Sequence, residues 1–268
     1  MYKILITGAD GLLGKNITQH LKNQGHKIYS YSGDVQNKIE FNESLDVIIH
    51  LAAKAFVPDS IKDPHTTFNV NVLGTLNVLE YARLNNLKVI FPSTAGVYKS
   101  SNTLIDENFL TEPSNPYTES KYLGELLCNF YSKNFKINCL VLRIFNVYGI
   151  FSERSSLIKD IYNGLINDQE IRLSSPDPIR DYVHIEDVSE AFRYAVESSF
   201  QNNFEIINIG SGIGTSVEQM VNSMSQQYGK KAKVHYNGFR KNEISFSVAN
   251  IIKANTLLGW KPKISLEE

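Results

Sequence analysis

The chain has 268 residues, 42% of them hydrophobic, and a formal net charge of -1. That length suits one large α/β domain, or one domain with a small lobe, and supplies enough apolar material for a substantial core. The near-neutral balance, without long basic runs, argues against nucleic acid as the main partner, and no apolar run approaches the ~20 residues of a membrane span. The chain opens directly on a strand-like Lys3-Ile4-Leu5-Ile6, so no signal peptide is expected. Cys128 and Cys139 read as core thiols of a cytoplasmic protein. The histidines, at 20, 26, 50, 65, 184 and 235, show no ligand-like pairing, and no structural metal is expected.

Taken in order, Ile4-Leu5-Ile6 runs into Thr7-Gly8-Ala9-Asp10-Gly11-Leu12-Leu13-Gly14, glycines in the pattern G-x-x-G-x-x-G. A helix follows, with Leu13, Ile17 and Leu21 on one face and an end near Gly25. Strand, glycine turn and helix together point to dinucleotide binding. The backbone approaches a pyrophosphate closely there, and the helix dipole favours negative charge. His26 to Tyr31 is the second strand. Its end, near Ser32, Gly33 and Asp34, should meet the adenosine ribose, yet neither a clear acidic anchor nor an arginine for a 2′-phosphate is present. The choice between NAD and NADP therefore stays open. Asp34 to Leu45 is short for a full strand–helix unit, so the fold should be trimmed there.

Asp46 to Ala53 is an apolar strand ending in small residues that admit a flat ligand. Thr67 to Leu84 reads as one long helix, burying Phe68, Val72, Leu76 and Leu79, with Asn71 either solvated or pairing polar groups inside. Lys88 to Phe91 is a strand leading into Pro92-Ser93-Thr94-Ala95-Gly96-Val97-Tyr98, whose hydroxyls should face the ligand crevice. After a polar loop, Asn115-Pro116-Tyr117-Thr118-Glu119-Ser120-Lys121 starts a helix, Asn115 as its cap and Pro116 at the first position. Tyr117 and Lys121 are four apart and share one face. A phenol ionises near ~10, and a cation one turn away favours the phenolate. The pair is thus a candidate proton donor and acceptor.

Cys139 to Leu142 forms a further strand, followed by Arg143-Ile144-Phe145-Asn146-Val147-Tyr148-Gly149. Beyond residue 150 the alternation loosens. We expect a helix over Ser155 to Ile166, a short strand over Glu170 to Leu173, and an amphipathic helix introduced by Arg180 to Val188. A strand at Ile206 to Ile209 and a helix through Val217, Met220, Val221 and Met224 follow. Leu258-Gly259-Trp260-Lys261-Pro262 reads as a docking corner, after which one more helix would be natural. The chain divides into a dinucleotide-binding part, 1–150, and a smaller substrate-binding lobe, 151–268, interleaved with the sheet and not folding alone.

Several motifs in the same order carry a resemblance: TGADGLLG, HLAA at 50–53, NVLGT at 71–75, STAGVY at 93–98, YTESK, RIFNVYG, RDYVHIEDV and LGWKP. The chain resembles the extended short-chain dehydrogenase/reductases that modify nucleotide sugars. The resemblance implies an α/β, Rossmann-like doubly wound parallel sheet with a smaller C-terminal substrate-binding lobe. It implies NAD or NADP held by Gly8, Gly11, Leu12, Leu13, Gly14, Asp34, Leu51, Ala52, Ala53, Asn71, Tyr117, Lys121 and Phe145. It implies Thr94, Tyr117 and Lys121 as the catalytic group, and Thr94, Asn146 and Arg180 as contacts of a nucleoside diphosphate sugar. A homodimer through the Thr67–Leu84 and Tyr117–Tyr131 helices is a further expectation.

The departures narrow the reaction. Dehydratases of this family follow the Thr with Asp-Glu, where this chain has Ala95-Gly96, and the Glu of related decarboxylases is also missing. Reduction of a 4-keto sugar or C4-epimerisation remains. The thin ribose anchor, and a Phe246-Ser247-Val248-Ala249-Asn250 tail similar to that of some CDP-hexose 4-keto-reductases, tilt the reading to reduction. Epimerisation with tightly bound NAD is the close rival, and a dinucleotide sensor without turnover is the distant one.

Overall fold

A computed structural model of the chain describes residues 1–149, 156–200, 202–238 and 244–266. Strand β1 (Lys3–Thr7) passes through the glycine turn into helix α1 (Leu12–Asn23), followed by β2 (Lys27–Tyr31) and β3 (Val47–His50). No helix separates β2 from β3, in keeping with the short Asp34–Leu45 stretch. Helices α2 (Val57–Lys62), α3 (Pro64–Phe68) and α4 (Gly74–Asn85) come next, then β4 (Lys88–Thr94), α5 (Pro116–Phe135) and β5 (Cys139–Ile144). The remainder comprises β6 (Asn146–Tyr148), α6 (Leu157–Asn167), β7 (Glu170–Leu173), β8 (Ile179–His184), α7 (Ile185–Glu197) and β9 (Phe204–Ile209). It ends with β10 (Gly214–Ser216), α8 (Val217–Gln227), β11 (Lys233–Tyr236) and β12 (Phe246–Ser247).

Six parallel strands form the main sheet in the order β2-β1-β3-β4-β5-β9. Alternate side chains of β1 feed two cores. Ile4 and Ile6 pack with Ile17 and Leu21 of α1 and Val188 and Phe192 of α7; Leu5 packs with Leu79 of α4 and Cys128 of α5. Both faces are covered, so the strands read as continuous apolar runs rather than alternating ones. Strand order reverses between β1 and β3, which opens a crevice at the carboxyl ends of these strands. Because β9 and α7 belong to these layers, the sheet is completed by chain well beyond residue 150. The smaller lobe gathers β7 with β11, β8 with β6, β10 and β12, and a core between α6 and α8.

Local signals explain most boundaries. Asn115 accepts from the Thr118 amide while Thr118 Oγ1 accepts from the Asn115 amide, a closed capping box with Pro116 at the first turn. The helix stops where Lys136 turns left-handed, at φ 61°. The corner at Trp260 docks as expected: its indole donates to Asp187 O at 2.9 Å, and the Asp187 carboxylate accepts from the Lys263 and Ile264 amides. One expectation changes. The single helix over Thr67 to Leu84 is α3 and α4 joined by a π-helical turn, Asn69–Leu73. The segment from Arg180 runs as strand β8 into the amphipathic helix, which starts at Ile185. Ser155, the expected start of the next helix, lies outside the described residues; Ser156 caps α6 instead, accepting from the Lys159 amide.

Candidate active site

The crevice is a cavity of about 640 Å³ running from the glycine turn to the start of α5. Its floor is built by close packing. Gly8 sits at φ +71°, and a Cβ there would stand 2.6 Å from Ala52 N; a Cβ on Gly14 would stand 2.2 Å from Gly8 O. Both glycines are thus demanded by the fold itself. Gly11 differs: its Cβ would meet only Gly8 O, at 3.2 Å, and Gly11 lines the cavity as the cap of α1. No side chain caps that helix and no acidic residue lies in its first turn, so its N-terminal dipole is open to an anion.

Thr94 ends β4, while Tyr117 and Lys121 stand one turn apart on α5, and all three line the same cavity. Burial pushes the Tyr117 phenol up to about 12, and a hydrogen bond with Thr94 works in the opposite direction. Lys121 is brought down to about 8 by burial, with Cys128 and Glu125 favouring its charged form. Its ammonium donates to Pro92 O at 2.9 Å and lies 4.8 Å from the Phe91 ring centroid. Contrary to what the spacing implies, Lys121 does not draw the phenol toward neutrality. Burial outweighs it here, and the group that eases ionisation is the Thr94 hydroxyl.

A buried polar chain ties these pieces together. The Ala52 amide donates to Thr7 Oγ1, which bonds His50 Nδ1 at 2.8 Å; His50 Nε2 bonds Thr75 Oγ1, and Thr75 donates to Asn71 O. The Asn71 side chain then accepts from the Lys54 amide at 2.7 Å and donates to Lys54 O at 3.1 Å and Ser120 Oγ at 2.8 Å. Ser120 in turn donates to Tyr117 O. Burial first, and the charge of Lys121 second, lower His50 to about 3, so it is a neutral link at physiological pH.

The NAD dependent epimerase/dehydratase family matches residues 4–210. The chain belongs to this family. A UDP-glucuronate 4-epimerase of Thermodesulfobacterium geofontis is 31% identical over 229 residues, covering 84% of this chain and 70% of that relative. The UDP-glucose 4-epimerase of Thermotoga maritima, solved with UDP-glucose, superposes with TM-score 0.91 at 27% identity, covering 99% of this chain and 95% of that one. The Thermus thermophilus UDP-glucose 4-epimerase, solved with NAD, gives 0.88 at 26%, covering 99% and 96%. This member of the epimerase/dehydratase family is accordingly an enzyme of the extended short-chain type.

Of the residues singled out in the sequence, Gly8, Gly11, Leu12, Leu13, Gly14, Leu51, Ala53, Thr94, Tyr117, Lys121 and Phe145 line the cavity. Ala52 lies behind it, against Gly8. Asn71 is buried and its amide is spent on Lys54 and Ser120, so its place in this family member is the wall's support rather than its lining. Asp34, exposed beyond β2, accepts from the Gln36 amide and stands outside the lining. Asn146 is exposed on β6, and Arg180, half-buried on β8, donates to Ile179 O; neither lines this cavity. Lys54, Phe56, Asp59 and Val70 also line it and carried no sequence signal, because only the folding-over of α2 with the segment before it, and of the π-helical turn, brings them there; Val147, from the RIFNVYG motif, joins them from β6.

The family's dinucleotide fits this floor: an uncapped helix start for the pyrophosphate and a glycine whose missing side chain keeps the approach clear. Gly11→Val should fold and lose dinucleotide affinity, whereas Gly14→Val should lose the fold, since its Cβ meets backbone. Calorimetry and thermal melts separate the two, and unchanged affinity in Gly11→Val would remove the cradle from this turn.

Proposed function

We propose that the protein is a 4-epimerase acting on a nucleoside diphosphate sugar and keeping its NAD through the cycle. The observation that carries this is the convergence of Thr94, Tyr117 and Lys121 on one wall above the glycine floor, with Ala95-Gly96 where an elimination would need acids. Bound NAD supplies the acceptor and donor of the hydride. The chain's own residues do the rest. Tyr117 takes and returns the proton of the sugar's C4 oxygen, Thr94 holds that oxygen, and Lys121 carries the positive charge beside them. Likeness to UDP-sugar 4-epimerases along nearly the whole chain moves the balance away from 4-keto reduction, toward which the sequence alone had tilted.

Reduction stays as the second reading because of one feature. Asp34 is exposed and engaged by Gln36, and no helix follows β2, so the ribose end of the site has a thin anchor suited to an exchanging cofactor. Stoichiometry decides. Interconversion of 4-hydroxy epimers with no net change at the reduced-nicotinamide band supports epimerisation; one NADH or NADPH oxidised per product from a 4-keto sugar overturns it.

The nucleotide sugar would reach the smaller lobe, with Arg180 serving its diphosphate by charge-assisted contact and Asn146 its sugar end. Arg180→Ala should raise KM for the nucleotide sugar more than for the dinucleotide, and equal activity on the free sugar would contradict the assignment. We also propose a homodimer through α4 and α5, whose Leu84, Leu126 and Phe130 are exposed, together with Leu73 of the π-helical turn before α4. Light scattering at twice the 30.3 kDa chain mass would agree, and a monomer would not.

A further inference from the structure

Tyr117, Lys121 and Glu125 follow one another at four-residue steps on α5, so they form a single stripe on one face of the helix. Glu125 is 2% exposed, and no step of the proposed reaction uses it. A bare carboxylate at that depth would be costly, and its partners show how the cost is met. Arg143 grips it with a two-pronged fork, Nε to Oε1 at 3.0 Å and a terminal nitrogen to Oε2 at 2.6 Å. The remaining terminal nitrogen of Arg143 donates to Glu107 O, and its guanidinium lies 4.6 Å from the Tyr98 ring centroid. Ser93 Oγ donates to Oε1 as well. Ser93 and Arg143 are register partners on β4 and β5, so one carboxylate grips both strands next to Thr94 and Ile144.

We propose that Glu125, its carboxylate gripped by Arg143, is a positioning residue that keeps the Lys121 ammonium charged and fixed beside the strand end that carries Thr94. The proposal rests on the reading of Tyr117 and Lys121 as the reacting pair. Other groups near Lys121 do not supply the negative charge. His50 on β3 is neutral, and Cys128 on α5, which would favour the Lys121 ammonium only if ionised, is held as a thiol by burial well above its usual range. Tyr117 is protonated, and Arg143 on β5 is a cation. Lys54 and Asp59 border the cavity from the segment before α2 and from α2 itself. Glu125 alone among these is an anion buried on Lys121's own helix face. Deleting its charge should lower the pH at which Lys121 gives up its proton, because a neighbouring anion favours the ammonium.

The test follows the Lys121 side-chain resonance against pH by NMR in the full chain without added dinucleotide, with Lys121→Met to assign it. In Glu125→Gln the midpoint should fall by about one pH unit from its wild-type value. The alkaline limb of turnover should move the same way. A midpoint that stays or rises overturns the proposal, since a brace with only a structural role would not move it. If Arg143, left unpaired, prevents that variant from folding, the double variant Glu125→Gln/Arg143→Met removes both charges, and replacing a buried pair with apolar groups is often tolerated. A lowered midpoint there supports the proposal and an unchanged one overturns it. The underlying reading fails separately: wild-type turnover in Tyr117→Phe would sink it whatever Lys121 does.

Discussion

Tyr117→Phe should lose on the order of 10²–10⁴ in turnover while folding normally. The ring stays, so packing at the start of α5 is kept, and only the exchangeable proton goes. The capping box of Asn115 and Thr118 does not involve the phenol, and the backbone carbonyl of Tyr117 still accepts from Ser120. With burial holding the phenol up near 12, Tyr117 enters the reaction protonated at neutral pH. It is thus ready to donate to a C4 ketone oxygen, and accepting a proton requires the deprotonated form to be favoured by Thr94 and by positive charge nearby. Steady-state kinetics with saturating dinucleotide checks this, alongside a thermal melt to confirm the fold. A variant with wild-type turnover would remove Tyr117 from the chemistry and leave the cavity as a binding site only.

Which features could be read before folding follows from how local their causes are. The glycine turn, the α5 start at Asn115-Pro116 and the β-branched runs of β1 and β3 are written in contiguous residues, and each lies where the sequence puts it. The Trp260 corner was equally plain, because Gly259, at φ +69°, ends a helical turn and a large indole must then be buried. The π-helical turn at Asn69–Leu73 was not legible. Its residues have ordinary helical spacing, and what widens the turn is the tertiary demand that Asn71 reach Lys54 and Ser120 at once. The pairing of Glu125 with Arg143 was not legible for a related reason. Eighteen positions apart, they meet only because β5 lies beside β4 under α5, and nothing in either local stretch says so. Lys121 was singled out for its place one turn from Tyr117; that its ammonium also donates to Pro92 O was not legible, because Pro92 lies on β4, far away in sequence.

Asn71→Leu should cost about 2–4 kcal/mol of stability, although leucine has nearly the same volume. The asparagine satisfies three groups: the Lys54 amide, the Lys54 carbonyl and the Ser120 hydroxyl. Leucine satisfies none of them. Lys54 is exposed, so its backbone groups recover part of the loss from water, whereas Ser120 is fully buried and retains only its bond to Tyr117 O. An unmet buried group costs roughly 1–3 kcal/mol, and one full and two partial losses give the stated range. The π-helical turn, widened to deliver this one side chain, would then have no reason to persist and should relax toward a regular α-helix. Because the same amide joins the β3 loop to α5, the cavity wall should loosen with it. Urea unfolding with and without NAD reads both effects. The midpoint should fall, and the added stabilisation by NAD, which grows with the logarithm of ligand concentration over Kd, should shrink. An unchanged midpoint together with an undiminished NAD shift would show that the floor and the Tyr117 helix are held in register by something other than Asn71.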